Sequence, residues 1–252
     1  NGLYITAGSS TVKGLIINRF TFAGIALQTN GSNIIRGNFI GVDSSGTQAR
    51  GNRDGVYIFN SSGNTIGGYV VADRNVISGN TDDGVNLESG GSNSIRGNYI
   101  GTNAAGTAGV PNMGDGIKIS NTSNGNTIGG NAAQFGNVIA FNNLRGIYSE
   151  LDTTAAIHNR FGANSIFSNN GLGIDLNGDG ITPNDTGDPD TGANNLQNYP
   201  LVLSISPFTG RTPISGTFNS SPNTTFRLEF FVSPTCDGPN YREGKTYIGL
   251  TY

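Results

Sequence analysis

Short apolar runs alternate with glycine and asparagine along most of this chain. A recurring unit is Gly followed by a strand in which every second residue is aliphatic: Gly2-Leu-Tyr-Ile, Gly24-Ile-Ala-Leu, Gly55-Val-Tyr-Ile, Gly84-Val-Asn-Leu, Gly116-Ile-Lys-Ile, Gly146-Ile-Tyr-Ser and Gly173-Ile-Asp-Leu. These starts lie 22 to 32 residues apart. A second unit reads Asn-x-Ile-x-x-Asn, with its asparagines at 33/38, 75/80, 93/98, 137/142 and 164/169. A shorter relative, Asn-Thr-Ile-Gly-Gly, occupies 64–68 and 126–130. Every second coil is also related: Ser-Asn-Ile-Ile-Arg-Gly-Asn-Phe-Ile-Gly at 32–41 returns at 92–101 as Ser-Asn-Ser-Ile-Arg-Gly-Asn-Tyr-Ile-Gly.

Strands this short, separated by single turns, cannot close a hairpin sheet on both faces. They can wind as coils in which each strand pairs with its equivalent in the next coil. Period-two alternation then sends Val56 and Ile58, Val85 and Leu87, and Ile117 and Ile119 inward as aliphatic stacks. Asparagines at repeated turn positions form amide ladders along the axis. The pattern therefore predicts an all-β chain: a right-handed parallel β-helix of about seven coils over residues 1–198. At about 4.8 Å per coil the rod is roughly 30–35 Å long. The stretches 41–53, 67–74, 101–114 and 129–136 are expected as loops thrown from the turns. After Asn198 the repeat stops. Strand-like runs at 201–206, 213–218, 224–232 and 246–252 predict a partial, Ig-like antiparallel β-sandwich over 199–252, either truncated or completed by a neighbouring chain.

Composition narrows the function classes. Of 252 residues, 40 are Gly and 34 are Asn, and only 12% are charged. The glycines keep no three-residue period, which excludes collagen. A net charge of −3 and a pI near 5.0 give no nucleic-acid footprint. No apolar run is long enough to span a membrane as a helix. One cysteine and one histidine exclude an internal disulfide and a His- or Cys-rich metal site. A chain poor in Lys and rich in Asn, Ser, Thr and Gly suits the outside of a cell. The start at Asn1, with neither Met nor a basic leader, reads as a mature or excised piece.

The coil units, with their Asn-x-Ile and Gly-Val/Ile strands, resemble bacterial right-handed β-helix repeat proteins of the pectin-lyase-like superfamily. The stretch from Gly171-Leu-Gly-Ile-Asp-Leu through Asn195-Leu-Gln-Asn-Tyr-Pro, followed by Thr225-Phe-Arg-Leu-Glu-Phe-Phe, is similar to the closing segment of large secreted or surface-anchored members. The resemblance implies an extracellular or cell-surface location and a choice among adhesins, fibre proteins, lyases and hydrolases, because the fold hosts all of them. Of the polygalacturonase elements only Asp82-Asp83 and Ile117-Lys118 have echoes here, and His158 stands in Ile-His-Asn-Arg.

Alternation places Tyr57, Asn86, Lys118 and Tyr148 in one outward file, and Glu88 and Glu150 in the next, as a candidate carbohydrate-binding face. Asp54, Asp83 and Asp115 precede successive strand glycines. Stacked about 5 Å apart, they could hold a cation or a sugar chain. Asp83, Asp115 and Lys118 are the candidate catalytic groups, since glycosidase carboxylates stand about 5–9.5 Å apart. The competing reading is that Asp before Gly is a turn residue capping its own backbone. A candidate Ca²⁺ loop runs Asp175, Asn177, Asp179 and Ile181, in Asp-x-Asn-x-Asp-Gly order, with Asp185, or else Asp188 or Asp190, supplying the missing carboxylate. Thr186 stands where an EF-hand has its bidentate Glu, and the alternative is a solvated acidic turn. The expected partners are copies of itself in a fibre or surface layer, or a polysaccharide. The leading reading is a non-catalytic structural or adhesive module. The alternative is a carbohydrate-binding or polysaccharide-cleaving protein.

Overall fold

The computed structural model describes residues 1–150, 156–235 and 243–252. Residues 1–150 and 156–177 coil into a parallel β-helix with three faces. The long sheet stacks Leu3–Ile5, Ile25–Gln28, Val56–Phe59, Val85–Glu88, Ile117–Ser120, Ile147–Glu150 and Ile174–Asn177, one strand per Gly-Val/Ile unit. The second sheet has six strands, from Thr11–Lys13 through Ile34–Arg36, Thr65–Gly67, Ser94–Arg96 and Thr127–Gly129 to Arg160–Gly162. The third also has six, from Ile16–Ile17 through Phe39–Ile40, Val76–Ile77, Tyr99–Ile100 and Val138–Ala140 to Ser165–Phe167.

The in-register pairing makes the predicted aliphatic stacks. Ile25, Val56, Val85, Ile117 and Ile147 form one column, and Leu27, Ile58, Leu87 and Ile119 the next. Ile35, Ile66, Ile95 and Ile128 line the second sheet, and Ile40, Ile77, Ile100 and Ile139 the third. All are fully buried. β-Branched side chains dominate because they fit a pleated surface that is covered by like neighbours above and below.

Three asparagine ladders turn the corners. The first runs Asn33, Asn64, Asn93, Asn126, Asn159; the second Asn38, Asn75, Asn98, Asn137, Asn164; the third Asn52, Asn80, Asn112, Asn142, Asn169. In each, the Nδ2 of one coil donates to the Oδ1 of the next at 2.8–3.1 Å. The same Oδ1 usually also accepts the backbone N–H of the preceding Asn, as at Asn98 N to Asn137 at 3.0 Å. Buried corner amides and carbonyls, which the sheets cannot reach, are thereby satisfied. The loops at 41–53 and 101–114 stack on each other through Ala104 N to Gly46 O, 2.9 Å. They shield Val42, Val76 and Val110 in a small core beside the rod. At Gly101 φ is +84°, and a Cβ would stand 2.1 Å from the carbonyl oxygen of Ala140, so the corner leaves no room for a side chain.

Beyond the rod lie two separate two-stranded antiparallel sheets, Leu201–Ile205 with Ile214–Thr217 and Leu228–Val232 with Thr246–Thr251. The second hairpin sits on the final coil. Ile166 N donates to Gly244 O at 2.9 Å, Ala163 N to the Glu229 carboxylate at 2.6 Å, and Asn169 Nδ2 to Glu243 Oε1 at 2.8 Å. The hairpin and Asn194, whose Oδ1 accepts Asn159 N at 2.9 Å, thus supply polar partners where the ladders end. Leu201, Val202, Leu203 and Ile205 of the first hairpin are all exposed.

Candidate functional site

The outer face of the long sheet carries most of the titratable side chains singled out above. Its register runs Tyr4, Ala26, Tyr57, Asn86, Lys118, Tyr148, Asp175 across successive strands, and Glu88 pairs with Phe59 and Ser120 in the neighbouring file. A strand contributes one outward residue to each file because alternate positions point out, so a file is one residue per coil.

These groups are tied to one another. The Tyr57 hydroxyl donates to Glu88 at 2.6 Å, and Asn121 Nδ2 donates to the other Glu88 oxygen at 3.2 Å. Burial and the Glu88 carboxylate push the Tyr57 hydroxyl far above its ordinary value. Lys118 Nζ stands 3.3 Å from Glu150. Burial opposes its charge, but Glu150 more than offsets this and raises the ammonium above the usual lysine range. Arg145 bridges Asp115 at 3.3 Å and Asp175 at 3.0 Å while its guanidinium lies 4.1 Å from the Tyr148 ring centroid. At the other end of the file, Phe22, Tyr57 and Phe59 form an aromatic group with centroids 5.3 and 6.0 Å apart, and Arg53 lies over Phe22 at 4.7 Å.

Beside this face runs the column of aspartates that precede the strand glycines. Asp83 accepts the Asp115 N–H and Asp115 accepts the Arg145 N–H, each at 2.8 Å. This is the turn-capping role expected of Asp before Gly, carried between coils instead of within one turn. All three are buried. Burial raises the carboxyl of Asp54 to about 6 and that of Asp83, which also faces Asp54, Asp82 and Asp115, to about 7. Burial raises Asp115 too, against the pull of Arg145.

The acidic stretch at 175–190 is divided. Asp175 sits on the long sheet, bound to Arg145 and accepting Gly178 N at 3.2 Å. Asn177 donates to the exposed Asp179 at 3.0 Å, and Ile181 is exposed. Asp185 gathers instead with Asp188 and Asp190, with carboxylate oxygens within 4.8 Å of one another. Asp188 is also held by Asn198 N and Gln197. Cys236 lies outside the described residues.

The alternation of each strand made the files legible, and the Asp-Gly repeats made the aspartate column legible. Phe22, Arg53 and Asp82 carried no periodic signal as members of this face, because they come from loops. Two depressions, of about 460 Å³ beside Asn131, Arg160 and Arg227 and about 420 Å³ beside Tyr69, Val71 and Arg74, lie away from it. No helix among the described residues is long and apolar enough to cross a membrane. No family model matches this chain, and no curated protein matches it.

Proposed function

We propose that this chain is a non-catalytic structural or adhesive module of a bacterial surface or fibre protein, built as a pectin-lyase-like β-helix and working outside the cell. The observation that carries this reading is the mutual commitment of the charged groups on the long-sheet face: Asp115–Arg145–Asp175, Lys118–Glu150 and Tyr57–Glu88. A general acid or base needs a group poised to exchange a proton with substrate, and here those side chains hold neighbouring coils together. Continuous amide ladders fit a rod that transmits load or spaces other domains.

A second reading, carbohydrate binding, draws on the Phe22–Tyr57–Phe59 rings beside Glu88 and on Tyr148. Sugars stack on such rings and hydrogen-bond to flanking carboxylates and amides. Incubating the protein with a panel of neutral and uronate-containing polysaccharides separates the readings. Unsaturated products are followed by ultraviolet absorbance, cleavage by reducing ends, and binding by affinity electrophoresis. The module reading expects no turnover. Turnover that disappears in Asp83→Ala or Lys118→Ala overturns it. Retardation lost in Tyr57→Ala without turnover assigns the adhesive surface.

A further inference from the structure

The two Asn-Thr-Ile-Gly-Gly units lead into loops of equal length, 69–74 and 131–136, each followed by Asn-Val-Ile. The loops fold alike. A 3₁₀ turn spans Val71–Asp73 in one and Ala133–Phe135 in the other, with Asp73 N donating to Val70 O and Phe135 N to Ala132 O, both at 2.9 Å. Each is pinned to the preceding coil, by Gly37 N to Asp73 O at 3.0 Å and by Gly97 N to Phe135 O at 3.2 Å. Their tips differ: Asn131-Ala-Ala stands in the second where the first has Tyr69-Val-Val. Tyr69, Val70 and Val71, at 60, 60 and 74% exposure, are the three most exposed large apolar residues of the described rod. The scaffold does not require them, since the same turn is made with asparagine and alanine.

We propose that the 69–74 loop is a peripheral membrane anchor, in which Tyr69, Val70 and Val71 enter the headgroup region of an anionic lipid surface while Lys13, Arg74 and Arg96 hold the lipid phosphates. Arg74 Nε donates to Gly97 O at 3.1 Å, and its guanidinium lies 4.0 Å from the Tyr99 ring centroid. Arg96 lies 4.4 Å from the Tyr69 ring centroid. Lys13 pairs in register with Arg36, which binds Asp73 at 3.3 Å. Lys13, Arg74 and Arg96 have no carboxylate partner among the described residues. Four cations thus accompany one carboxylate here, on a chain whose net charge is −3. The depression of about 420 Å³ lined by Tyr69, Val70, Val71, Arg74, Gly97 and Gln134 sets the apolar tip and a cation around one opening.

An apolar tip beside basic residues combines the two terms that hold a protein at a bilayer interface, burial of apolar area and attraction to anionic headgroups. The hydrogen bonds that pin the loop leave little ordering to be done on binding. A sugar chain fits this face less well. It stacks on a free aromatic face, whereas Arg96 lies over the Tyr69 ring and Phe135 meets that ring edge-on at 5.0 Å. The two valine side chains offer a sugar no hydrogen bond. The loop is separate from the long-sheet face, so the inference stands apart from either reading of that face.

The test is co-sedimentation of the protein with vesicles of mixed phosphatidylglycerol and phosphatidylcholine, and with vesicles of phosphatidylcholine alone. Affinity electrophoresis in dextran sulfate runs in parallel. The variants are the triple Tyr69→Asn/Val70→Ala/Val71→Ala, the single Lys13→Glu, and Leu203→Ser, which removes an exposed apolar residue of the first hairpin. The triple copies the tip of the second loop, so its unfolding midpoint should match that of wild type. Lys13 is exposed, so Lys13→Glu keeps the fold independently. The expected result is wild-type binding to the anionic vesicles that weakens as salt rises. Binding falls about tenfold or more in the triple, about fivefold or more in Lys13→Glu, and is unchanged in Leu203→Ser. The proposal is overturned if wild type does not bind the anionic vesicles, and retardation by dextran sulfate without vesicle binding assigns the basic residues to a polyanionic sugar chain instead. It is also overturned if neutral vesicles bind equally well, if the triple binds as wild type does, or if binding is lost only in Leu203→Ser.

Discussion

Removing the side chain of Asn98, in the middle of the second ladder, should be among the most damaging single changes in the rod. Asn98 is fully buried. Its Nδ2 donates to Ile66 O at 2.9 Å, Arg96 O at 3.1 Å and Asn137 Oδ1 at 3.0 Å, and its Oδ1 accepts Asn75 Nδ2 at 2.9 Å and Asn75 N at 3.3 Å. In Asn98→Ala, Asn75 Nδ2 keeps Ile35 O at 2.8 Å, and Asn137 Oδ1 keeps the Asn98 N–H. The Asn75 N–H and the Ile66 carbonyl lose this partner in a site closed to water. At about 1–3 kcal/mol for each stranded group, the loss is about 4 kcal/mol. For a chain of this size that lowers the unfolding midpoint by roughly 10 °C. Asn98→Asp should be worse still, because it points an oxygen at three acceptors instead of leaving a gap. The assay is urea and thermal unfolding by circular dichroism on both variants, with the exposed Asn143→Ala as control, expected within about 0.5 kcal/mol of wild type. A loss below about 1 kcal/mol for Asn98→Ala, or Asn98→Asp milder than Ala, would show that the ladders do not hold the coils.

Arg145→Ala strips the partner from the buried Asp115 and Asp175 and should cost about 3 kcal/mol, read as a lowered midpoint; an unchanged midpoint refutes the bridging role. Gly101→Ala forces a Cβ against the Ala140 carbonyl at positive φ, with an expected loss of about 2 kcal/mol or more, checked in the same unfolding experiment. Folding raises the Asp83 carboxyl from 3.8 to about 7, chiefly through burial. The folded state therefore binds more protons than the unfolded one across that window, and the stability present below pH 4 is lost as pH rises towards 7. At about 1.4 kcal/mol per pH unit the drop is on the order of 4 kcal/mol. Asp83→Asn, which keeps the oxygen that accepts Asp115 N, should flatten that slope; a difference between wild type and variant that is equal at pH 4 and pH 8 would refute it.

Local pattern determined much of this protein. Glycine starts and period-two alternation fixed the seven strands of the long sheet and their outward files, since a strand's faces follow from backbone geometry alone. The repeat also predicted parallel pairing, because units this short bury their aliphatic face only against their own equivalents. Which corner each asparagine turns was a tertiary decision. The Asn-x-Ile-x-x-Asn unit at 33/38 and 93/98 spans the first and second ladders, whereas the same pattern at 75/80, 137/142 and 164/169 spans the second and third. The motif is identical because both corners ask for the same hydrogen bonds, so only the path of the whole coil separates them. The ion pairs were decided at the same level. Asp175 reads in sequence as the first ligand of an acidic loop, but its strand sits next to the one that Arg145 precedes, and the half-buried guanidinium binds it. The gathering of Asp82 with Asp54 likewise depends on two loops stacking one coil apart, a distance along the axis that residue spacing does not encode.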